Sequence, residues 1–364
     1  MRNHQQLIEV MRGRRGEIAN SPTHPVAPSN SSSRSEIDAI HSTADLTKLI
    51  KQRAHFERFD KVGIVRSAVL EEEGRHLNDW LSRNFQGEMS WMHRDPEKRI
   101  DPAQIFPGAR SVVVVALNYF TPAKHSDDPV TGKVSRYAWG DDYHDVVSEK
   151  LHSLLRWIKE LVPDAEGKVC VDIQPVMDKA WAVRAGLGWL GKHTNVITPE
   201  FGSWVFIGEL ILNLELTYDT QQIEDHCGTC TLCIDACPTD AITEPYVLDS
   251  NKCISYATIE LRTPDLPEVI SQSLSGWLYG CDICQDVCPW NRFEQATSET
   301  RFQPRAGNVD AVLSDIVELS PQDYAVRFRG SAMKRAKLSG LQRNARALEV
   351  QRPTSKVQGP RTKV

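Results

Sequence analysis

The sequence predicts an α+β protein with a mixed-sheet core, a smaller cysteine-rich domain and a short helical C-terminal region. Residues 112–117 are apolar without a break, which is typical of a central strand covered on both faces. Residues 147–161 carry apolar side chains at helical spacing. Eight of the nine cysteines fall within residues 227–288. Strands and helices followed by a separate cysteine-rich segment favour this organisation.

Composition is that of an ordinary globular protein. The 364 residues suffice for two or three domains, and 40% hydrophobic with 25% charged residues is a usual balance. The net charge of −5 gives no general sign of a nucleic-acid partner, so such a surface must be local. The sequence shows no apolar run of about 18 residues and no apolar signal segment, so we expect neither a membrane span nor export. An unpaired cysteine, Cys170, favours a reducing cytoplasm.

Residues 1–43 predict a flexible extension. Residues 12–15 are basic and residues 21–35 are rich in Ser, Pro and Asn, so the segment buries too little apolar area to offset its ordering entropy. A basic transit peptide is the alternative. Glu9 and Glu17 and the lack of an apolar face argue against it.

Residues 44–217 predict the core domain. The elements expected in its first half are a helix around residues 46–54, a strand at 61–66, a helix at 74–85 and a strand at 111–118. Asn118 and Tyr119 end the last strand, and open α/β sheets bind ligands at the carboxyl ends of strands. Two X-Pro steps predict a loop around Arg99, which either binds an anion or is a solvated arginine.

The long helix of residues 147–161 has a clear start signal. Asp141 and Asp142 are good N-cap candidates. Tyr143 and His144 then fall in the first turn. As isolated residues they are interpreted as packing rather than chemistry.

Asp172 interrupts the next predicted strand, residues 168–174. Apolar and polar side chains alternate there, and Asp is disfavoured in strands. A carboxylate held by a rigid element is a candidate general acid or base. A carboxylate on an edge strand facing water fits the same pattern, so the residues alone leave both interpretations open.

A glycine-rich stretch, residues 186–194, follows a predicted helix at 177–185. It matches the G-x-G-x-x-G spacing, but that dinucleotide motif must follow a strand. It also approaches a P-loop, but His193 stands where Ser or Thr should hold magnesium. We interpret the glycines as letting the backbone approach a bulky ligand. An apolar strand is expected next, at residues 203–213.

Residues 218–298 carry the most specific pattern. A C-x2-C-x2-C-x3-C-P run begins at Cys227, a C-x2-C-x3-C-P run begins at Cys281, and Cys253 lies between them. Thiolates at this spacing bind iron–sulfur clusters, and in two-cluster ferredoxins the fourth cysteine of each run ligates the other cluster. The crossing predicts one 4Fe–4S cluster on Cys227, Cys230, Cys233 and Cys288, and a second on Cys237, Cys253, Cys281 and Cys284. Zinc ribbons and disulfides, the alternatives, do not use two interlocked runs of this kind.

Residues 299–350 predict a helical region, and residues 351–364 a disordered tail. The helical region holds seven positive charges and no acidic residue between positions 327 and 346. Such a run is either a solvated helix face or a phosphate-binding surface. The candidates for phosphate contact are Arg329, Lys334, Arg335 and Arg343.

Several ordered motifs together resemble the epoxyqueuosine reductase family. They are GEMSWM at residues 87–92, PGARS at 107–111, SRYAWGDDYH at 135–144, AGLGWLGKHT at 185–194, FRGSA at 328–332, GLQRN at 340–344 and the eight cysteines. The resemblance covers about residues 44–347. This set of motifs is far more specific than the cysteines alone.

The resemblance implies a cobalamin-binding reductase core joined to a ferredoxin-like domain with two 4Fe–4S clusters, in a cytoplasmic monomer. The family's substrate is epoxyqueuosine at the wobble position of tRNA, and an electron donor that the sequence does not identify must serve it. Removing the epoxide oxygen needs two electrons, two protons and the release of water. The family's proton donor, an Asp on the strand before the glycine-rich loop, corresponds to Asp172. Its pKa must be raised by burial if it is to remain protonated at neutral pH.

The resemblance also implies cofactor contacts in family-like loops. The corresponding residues are Arg99, Ser135, Arg136, Asp172, Lys179, His193, Asn195, Gly280, Cys281, Asp282 and Ile283. Some members carry a Cys near the corrin around residues 135–137, and this chain has none, so a thiol–cobalt contact is not implied here. The four basic candidates of the helical region become candidate tRNA contacts.

Two other classes share some of these features. Reductive dehalogenases also join cobalamin to two clusters, but they usually have export signals and larger cores, which the sequence does not show. An electron carrier fused to an inert domain would bind neither a corrin nor tRNA.

Overall fold

The computed structural model describes residues 40–351. Nearly all of the predicted flexible extension, up to residue 39, and the predicted tail from residue 352 onward lie outside the described residues. Between residues 40 and 351 we find no helix with both the length and the apolar character needed to cross a bilayer.

The described residues form short strands and mostly short helices. The strands are β1 (Lys61–Arg66), β2 (Ser111–Asn118), β3 (Thr131–Val134), β4 (Gly167–Cys170), β5 (Trp189–Leu190), β6 (Val196–Ile197), β7 (Val205–Leu212), β8 (Ile242–Glu244), β9 (Val247–Leu248), β10 (Trp277–Tyr279) and β11 (Asp310–Val312). The α-helices are α1 (Thr43–Phe56), α2 (Glu71–Ser82), α3 (Pro96–Ile100), α4 (Pro102–Ile105), α5 (Tyr143–Leu161), α6 (Asp178–Arg184), α7 (Leu232–Asp235), α8 (Ile254–Ile259), α9 (Glu268–Gln272), α10 (Ile283–Asp286), α11 (Leu313–Val317), α12 (Pro321–Arg327) and α13 (Lys337–Val350). Single 3-10 turns lie at Ser90–Met92, Arg136–Ala138, Ser250–Lys252, Pro289–Phe293, Thr300–Phe302 and Ala332–Ala336.

The core sheet has the strand order β1-β2-β7-β4, and each neighbouring pair is antiparallel. The expectation of a mixed core sheet is therefore wrong. A strand covered on both faces is apolar throughout whichever way its neighbours run, so the pattern could not decide strand direction. Parallel pairing occurs instead in a second sheet, β10-β3-β11, where β10 and β3 are parallel and β11 and β3 are antiparallel.

The central strand β2 is buried along its whole length, as predicted. Val113 and Val115 face one apolar layer, which includes residues of α1 and α5. Val112 and Val114 face the other layer, which includes residues of α6. Full burial of each valine contributes about 1.5–3 kcal/mol relative to exposure. This rigid centre fixes the ends of β4 and β7, where the site described below begins.

The second sheet joins the three predicted segments of the chain. Strand β3 comes from residues 44–217, β10 from residues 218–298 and β11 from residues 299–350. Their shared core includes Leu278 from β10 and Leu341 and Leu348 from α13. The cysteine-rich segment and the C-terminal helices are therefore packed firmly against the core domain.

Most predicted element positions are close to those observed. The strands at residues 61–66 and 111–118 are confirmed. Helix α5 begins where predicted, because the Asp142 carboxylate accepts the His144 backbone N–H at 3.1 Å. The strand predicted at residues 168–174 ends at Cys170, since β4 pairs with β7 only from Gly167 to Cys170. Asp172 therefore does not lie in a strand.

Candidate active site

A cavity of about 680 Å³ opens where the core sheet, the glycine-rich stretch and the cysteine-rich segment meet. Aromatic and apolar side chains such as Tyr119, Met177 and Phe206 form much of its wall. An apolar wall with a few converging polar groups is typical of a small-molecule or cofactor site. The predicted cofactor contacts that line it are Arg99, Ser135, Asp172, Lys179, His193, Asn195, Cys281 and Ile283.

Asp172 is held in a tight turn that follows β4. Its φ of 56° lies in the left-handed region, which Asp tolerates better than most residues with a side chain. The Val171 N–H donates to the Gln174 side chain at 2.9 Å and fixes the turn. The turn points the Asp172 carboxylate into the cavity, where 61% of the side chain remains exposed because the cavity is open.

Two residues at the start of α5 hold the Asp172 carboxylate. The Tyr143 hydroxyl donates to Asp172 Oδ2 at 2.5 Å, and His144 Nε2 lies 3.4 Å from the same oxygen. The other ring nitrogen, Nδ1, lies 2.7 Å from the Asp142 carboxylate. Sequence reasoning interpreted Tyr143 and His144 as packing, and that interpretation missed their contacts with Asp172.

These contacts set the protonation of Asp172. Burial favours the neutral carboxyl, but the hydrogen bonds from His144 and Tyr143 outweigh it and lower the Asp172 pKa below its ordinary 3.8. Burial alone would lower the pKa of His144, but its contacts with Asp142 and Asp172 raise it to about 9. These two contacts oppose the rise in the Asp172 pKa that burial beside a corrin is expected to cause. At neutral pH the His144–Asp172 pair holds one proton, and that proton is on the imidazole.

Several donors of the cavity wall are free for a ligand. Arg99 Nε and His193 Nε2 are buried, and neither has a hydrogen-bond partner within residues 40–351. Burial and the charge of Lys179 lower the pKa of His193 to about 4, so its ring is neutral. Lys179 Nζ donates to the Thr194 carbonyl and the Asn195 side chain, both at 2.9 Å. Buried polar atoms without partners are costly, which fits a wall that holds a polar cofactor.

Three predicted contacts stand behind the cavity wall. Asp282 accepts hydrogen bonds from the Ser135 hydroxyl and, at 2.8 Å, from the Arg136 backbone N–H. The Arg136 guanidinium lies over the Trp139 ring, 4.4 Å from its centroid, and donates to the Thr121 carbonyl. Gly280 packs directly on Ser135, because a side chain there would come within 2.4 Å of it. Asp282 and Gly280 therefore position Ser135, and the cavity lining includes neither of them nor Arg136.

The glycine-rich stretch is shaped by packing within the protein. A side chain at Gly188 would lie 2.1 Å from the Ile197 carbonyl oxygen, and one at Gly186 would lie 2.4 Å from that of Gln221. The interpretation that these glycines make room for a bulky ligand is wrong for both positions. Lys192 donates to two carbonyls of the first cysteine run, at 2.6 and 2.9 Å, and ties the stretch to it.

The first group of thiols gathers around Cys233. Burial raises the Cys233 pKa to about 11, and the thiols that raise it further are Cys288, Cys227 and Cys230. Burial likewise raises the pKa of Cys288, with Cys227 and Cys230 as its thiol neighbours. Cys233 is buried and the other three thiols are half-buried, and thiols ionise when they bind a metal centre. The four members of this group are those predicted for one cluster.

The second group of thiols faces the cavity. Burial raises the pKa of Cys281, and Cys284 and Cys253 raise it further. The pKa of Cys253 is raised by burial and by the neighbouring thiol of Cys237. All four line the cavity. The charge of Cys233, a member of the first group, also raises the pKa of Cys284. The two groups are therefore neighbours, and the second lies at the cavity.

The basic run of the C-terminal region is only partly a free surface. Arg329 and Lys334 are exposed. Arg335 is paired with Glu260 through contacts of 2.7–3.0 Å, which offset its charge. Arg343 is 7% exposed. Its guanidinium donates to the main-chain carbonyls of Ala257, Leu261 and Thr263. Arg343 as a tRNA contact is therefore wrong, because its donors are used inside the protein.

Comparison with known proteins identifies the family. The family model described as epoxyqueuosine reductase QueG, DUF1730 matches residues 99–173, and a 4Fe-4S double cluster binding domain matches residues 226–291. An epoxyqueuosine reductase of Synechocystis sp. is 48% identical over 278 residues, which are 76% of this chain and 95% of that protein. The chain belongs to the epoxyqueuosine reductase family. It is an oxidoreductase, and the resemblance inferred from its motifs is confirmed.

Further relatives cover the same region. An epoxyqueuosine reductase of Cellulophaga algicola is 46% identical over 296 residues, 81% of this chain and 95% of that protein. A crystal structure of an epoxyqueuosine reductase with an epoxyqueuosine-modified tRNA-Tyr stem loop has a TM-score of 0.78 and 32% identity, covering 83% of this chain and 80% of that one. The Bacillus subtilis enzyme has a TM-score of 0.75 and 31% identity over 83% of this chain and 81% of its own, and was solved with an aspartate catalytic loop swung out of its active site.

Proposed function

We propose that the chain reduces epoxyqueuosine to queuosine at the wobble position of tRNA, with cobalamin in the cavity and two 4Fe–4S clusters on its cysteines. One observation carries this proposal. The Asp172 carboxylate, the second thiol group and the partnerless donors of Arg99 and His193 all belong to one cavity wall. A reductive removal of oxygen needs an electron route and a proton route that meet at one place, and this cavity offers both.

The cavity wall fits a corrinoid. Arg99 Nε and His193 Nε2 are buried polar atoms that find no partner among residues 40–351, and Lys179 and Asn195 add polar groups to the same wall. Apolar residues such as Met177 and Phe206 suit the rest of a large ring. Cobalamin bound there would collect the two electrons that clusters pass on singly.

The thiols supply an electron route of two steps. We assign the first cluster to Cys227, Cys230, Cys233 and Cys288, and the second to Cys237, Cys253, Cys281 and Cys284. This assignment follows the crossed ligand pattern of two-cluster ferredoxins, and all four thiols of the second group line one cavity. Since the second group lines the cavity, the first group is the entry point for electrons from the donor.

Asp172 serves the proton route. Conversion of an epoxide to an alkene breaks two C–O bonds, so two electrons form the C=C bond and the oxygen leaves with two protons as water. An alkoxide is a poor leaving group at neutral pH, so an acid must protonate the oxygen as the bond breaks. His144 Nε2 lies 3.4 Å from Asp172 Oδ2, and return of the imidazole proton to the carboxylate makes Asp172 the acid. Tyr143 then positions that carboxyl, and His144 both positions it and holds its proton.

The substrate proposed for this chain is a tRNA anticodon stem loop. A relative with 32% identity was solved with such a stem loop. A modified base must leave its stack to enter a cavity of this depth, and the flanking phosphates need cationic support. Arg329 and Lys334 are exposed and stand in an acid-free run, so we assign them to the phosphates.

One experiment separates this function from an electron carrier fused to an inert domain. Anaerobically purified protein is mixed with cobalamin, passed through a gel-filtration column, reduced, and given a stem loop that carries epoxyqueuosine. We expect a corrin spectrum that stays with the protein and a product that is lighter by one oxygen atom. Protein that retains no corrin and leaves the stem loop unbound would contradict the proposal.

A further inference from the structure

A buried glutamate and a half-buried aspartate lie close together near Asp172. Glu209 is in the central part of β7, is 0% exposed, and has neither carboxyl oxygen hydrogen-bonded within residues 40–351. Asp178 begins α6 and lines the cavity. The two carboxyls lie within hydrogen-bonding reach of each other, and a hydrogen bond forms between them when one of them is protonated. An unpaired carboxylate in the centre of a sheet would be very costly, so the protonation of Glu209 matters.

The surroundings of the pair favour protonated carboxyls. Burial, and then the charges of Asp178 and Asp172, raise the pKa of Glu209 well above its ordinary 4.5. Burial and Asp172 raise the pKa of Asp178 to about 6. Both shifts favour the protonated carboxyl, and the burial of Glu209 in the centre of the sheet favours it most strongly there. The charges of the pair also shift the pKa values of neighbouring groups. These groups are Arg99, Tyr143, Cys170 and Lys179.

The pair is connected to the proposed proton donor. The Asp172 backbone N–H donates to Asp178 Oδ1 at 3.3 Å, and both side chains line the same cavity. The Asp178 carboxyl therefore lies between Glu209 and the turn that carries Asp172, and a proton that leaves Asp178 for the Asp172 carboxylate crosses the cavity. Each turnover consumes two protons, whereas the His144–Asp172 pair holds one. A second source is needed before the oxygen can leave as water.

We propose that Glu209 and Asp178 form a proton reservoir that recharges Asp172 during each turnover. The reservoir delivers the second of the two protons that leave with the epoxide oxygen, and the electrons come from the cluster route. Asp178 is then reprotonated from the open cavity, and Glu209 regains its proton through Asp178. This inference rests on the proposed role of Asp172, and it adds two residues to the proton route.

Infrared spectroscopy tests the protonation without turnover. The protein at pH 7 should show the carbonyl stretch of a protonated carboxyl in a dry environment, and glutamate labelled with carbon-13 should shift it. Glu209→Gln should remove the band, and Glu215→Gln should leave it, because Glu215 is a surface residue paired with Arg66 at 3.3 Å. Absence of a labelled glutamic-acid band in the parent protein overturns the proposal even if Glu209→Gln does not fold.

Kinetics tests the role in turnover. Glu209→Gln keeps the shape and neutrality of the side chain but has no acidic proton, and Asp178→Asn breaks the path. We expect each variant to turn over about tenfold more slowly, less than the ~100-fold typical of losing a general acid, because water partly replaces the path. The loss should grow as pH rises, while stem-loop affinity stays unchanged. A pH profile identical to that of the parent in both variants contradicts the reservoir.

The same measurements distinguish the two proposals. If Asp172→Asn loses activity while Glu209→Gln and Asp178→Asn keep the parental rate and pH profile, the reservoir alone is wrong. If Asp172→Asn also keeps the parental rate, the proposed donor is wrong, and the reservoir has nothing to recharge. A structural role for Glu209 would lower the unfolding temperature without changing the pH profile.

Discussion

The Tyr143 hydroxyl donates a 2.5 Å hydrogen bond to the Asp172 carboxylate. The two residues are 29 positions apart in the chain, one in the first turn of α5 and the other in the turn after β4. Because α5 packs on the core sheet that contains β4, the rigid sheet sets the distance between them. The proposed acid is therefore aimed by a side chain from another element and does not depend on its own turn alone.

Replacement of Asp172 tests the proposed proton donor. Asp172→Asn keeps the shape of the side chain and its contact with Tyr143 but cannot donate an acidic proton. We expect intact cofactor binding and a turnover rate at least about 100-fold lower, as is typical when a general acid is lost. Asp164→Asn, at an exposed position outside the cavity, is the matched control and should keep the parental rate. Near-normal conversion of epoxyqueuosine by the Asp172 variant would rule out the role.

The raised pKa of His144 predicts a pH-dependent stability. The contacts with Asp142 and Asp172 raise this pKa from 6.5 to about 9, so the charged imidazole is favoured by folding. Its contribution is fully present below pH 6.5 and is lost as the pH rises toward 9. The unfolding temperature of the parent should therefore fall more steeply than that of His144→Gln over this range. His152→Gln, on an exposed turn of the same helix, is the control, and its unfolding temperature should change with pH as that of the parent does. If the unfolding temperatures of the parent and His144→Gln fall in parallel with pH, His144 is not stabilised by Asp142 and Asp172.

Sequence patterns predicted the positions of the main strands better than their arrangement. The uninterrupted apolar run of β2 revealed a central strand, since both of its faces are buried. That same burial hides strand direction, because side-chain alternation disappears when both faces are covered. The sequence pattern also could not predict that β3, β10 and β11 form one sheet, because this pairing links residues far apart in the chain.

The candidate site was predictable where a residue departs from its local pattern. Asp172 stood out among apolar residues, and the spacing of the cysteine runs is one that few metal sites besides iron–sulfur clusters use. Tyr143 and His144 looked ordinary at a helix start, although their position directly after the Asp142 cap was an available signal. Arg343 was misassigned because a run of one charge does not reveal which side chains point inward.

Iron analysis tests the crossed assignment of the clusters. The parent should contain about eight iron atoms per chain, and Cys253→Ala should lower the count toward about four because the second site loses a ligand. Cys170 is buried in β4 and belongs to neither group, so Cys170→Ala should retain the parental iron content. A parent with about four iron atoms, unchanged in Cys253→Ala, would refute two sites of four cysteines.

The salt dependence of tRNA binding tests the basic surface. Charge reversal at Lys334, which is exposed, should weaken binding and reduce the slope of log affinity against log salt by roughly one unit per lost phosphate contact. Reversal at Arg335 should add less, because Glu260 already offsets its charge. Turnover of a free nucleoside analogue, which has no flanking phosphates, should stay at the parental rate in both variants.

Arg343→Lys is the control that separates a phosphate contact from an internal one. The substitution keeps the charge but cannot reproduce the fork that reaches the carbonyls of Ala257 and Leu261. We expect a loss of about 1–3 kcal/mol in unfolding free energy, the usual cost of unsatisfied buried groups, with the salt slope of binding unchanged. If Arg343→Lys flattens the salt slope while Lys334→Glu leaves it unchanged, the buried arginine reaches the RNA and the exposed run is only a solvated face.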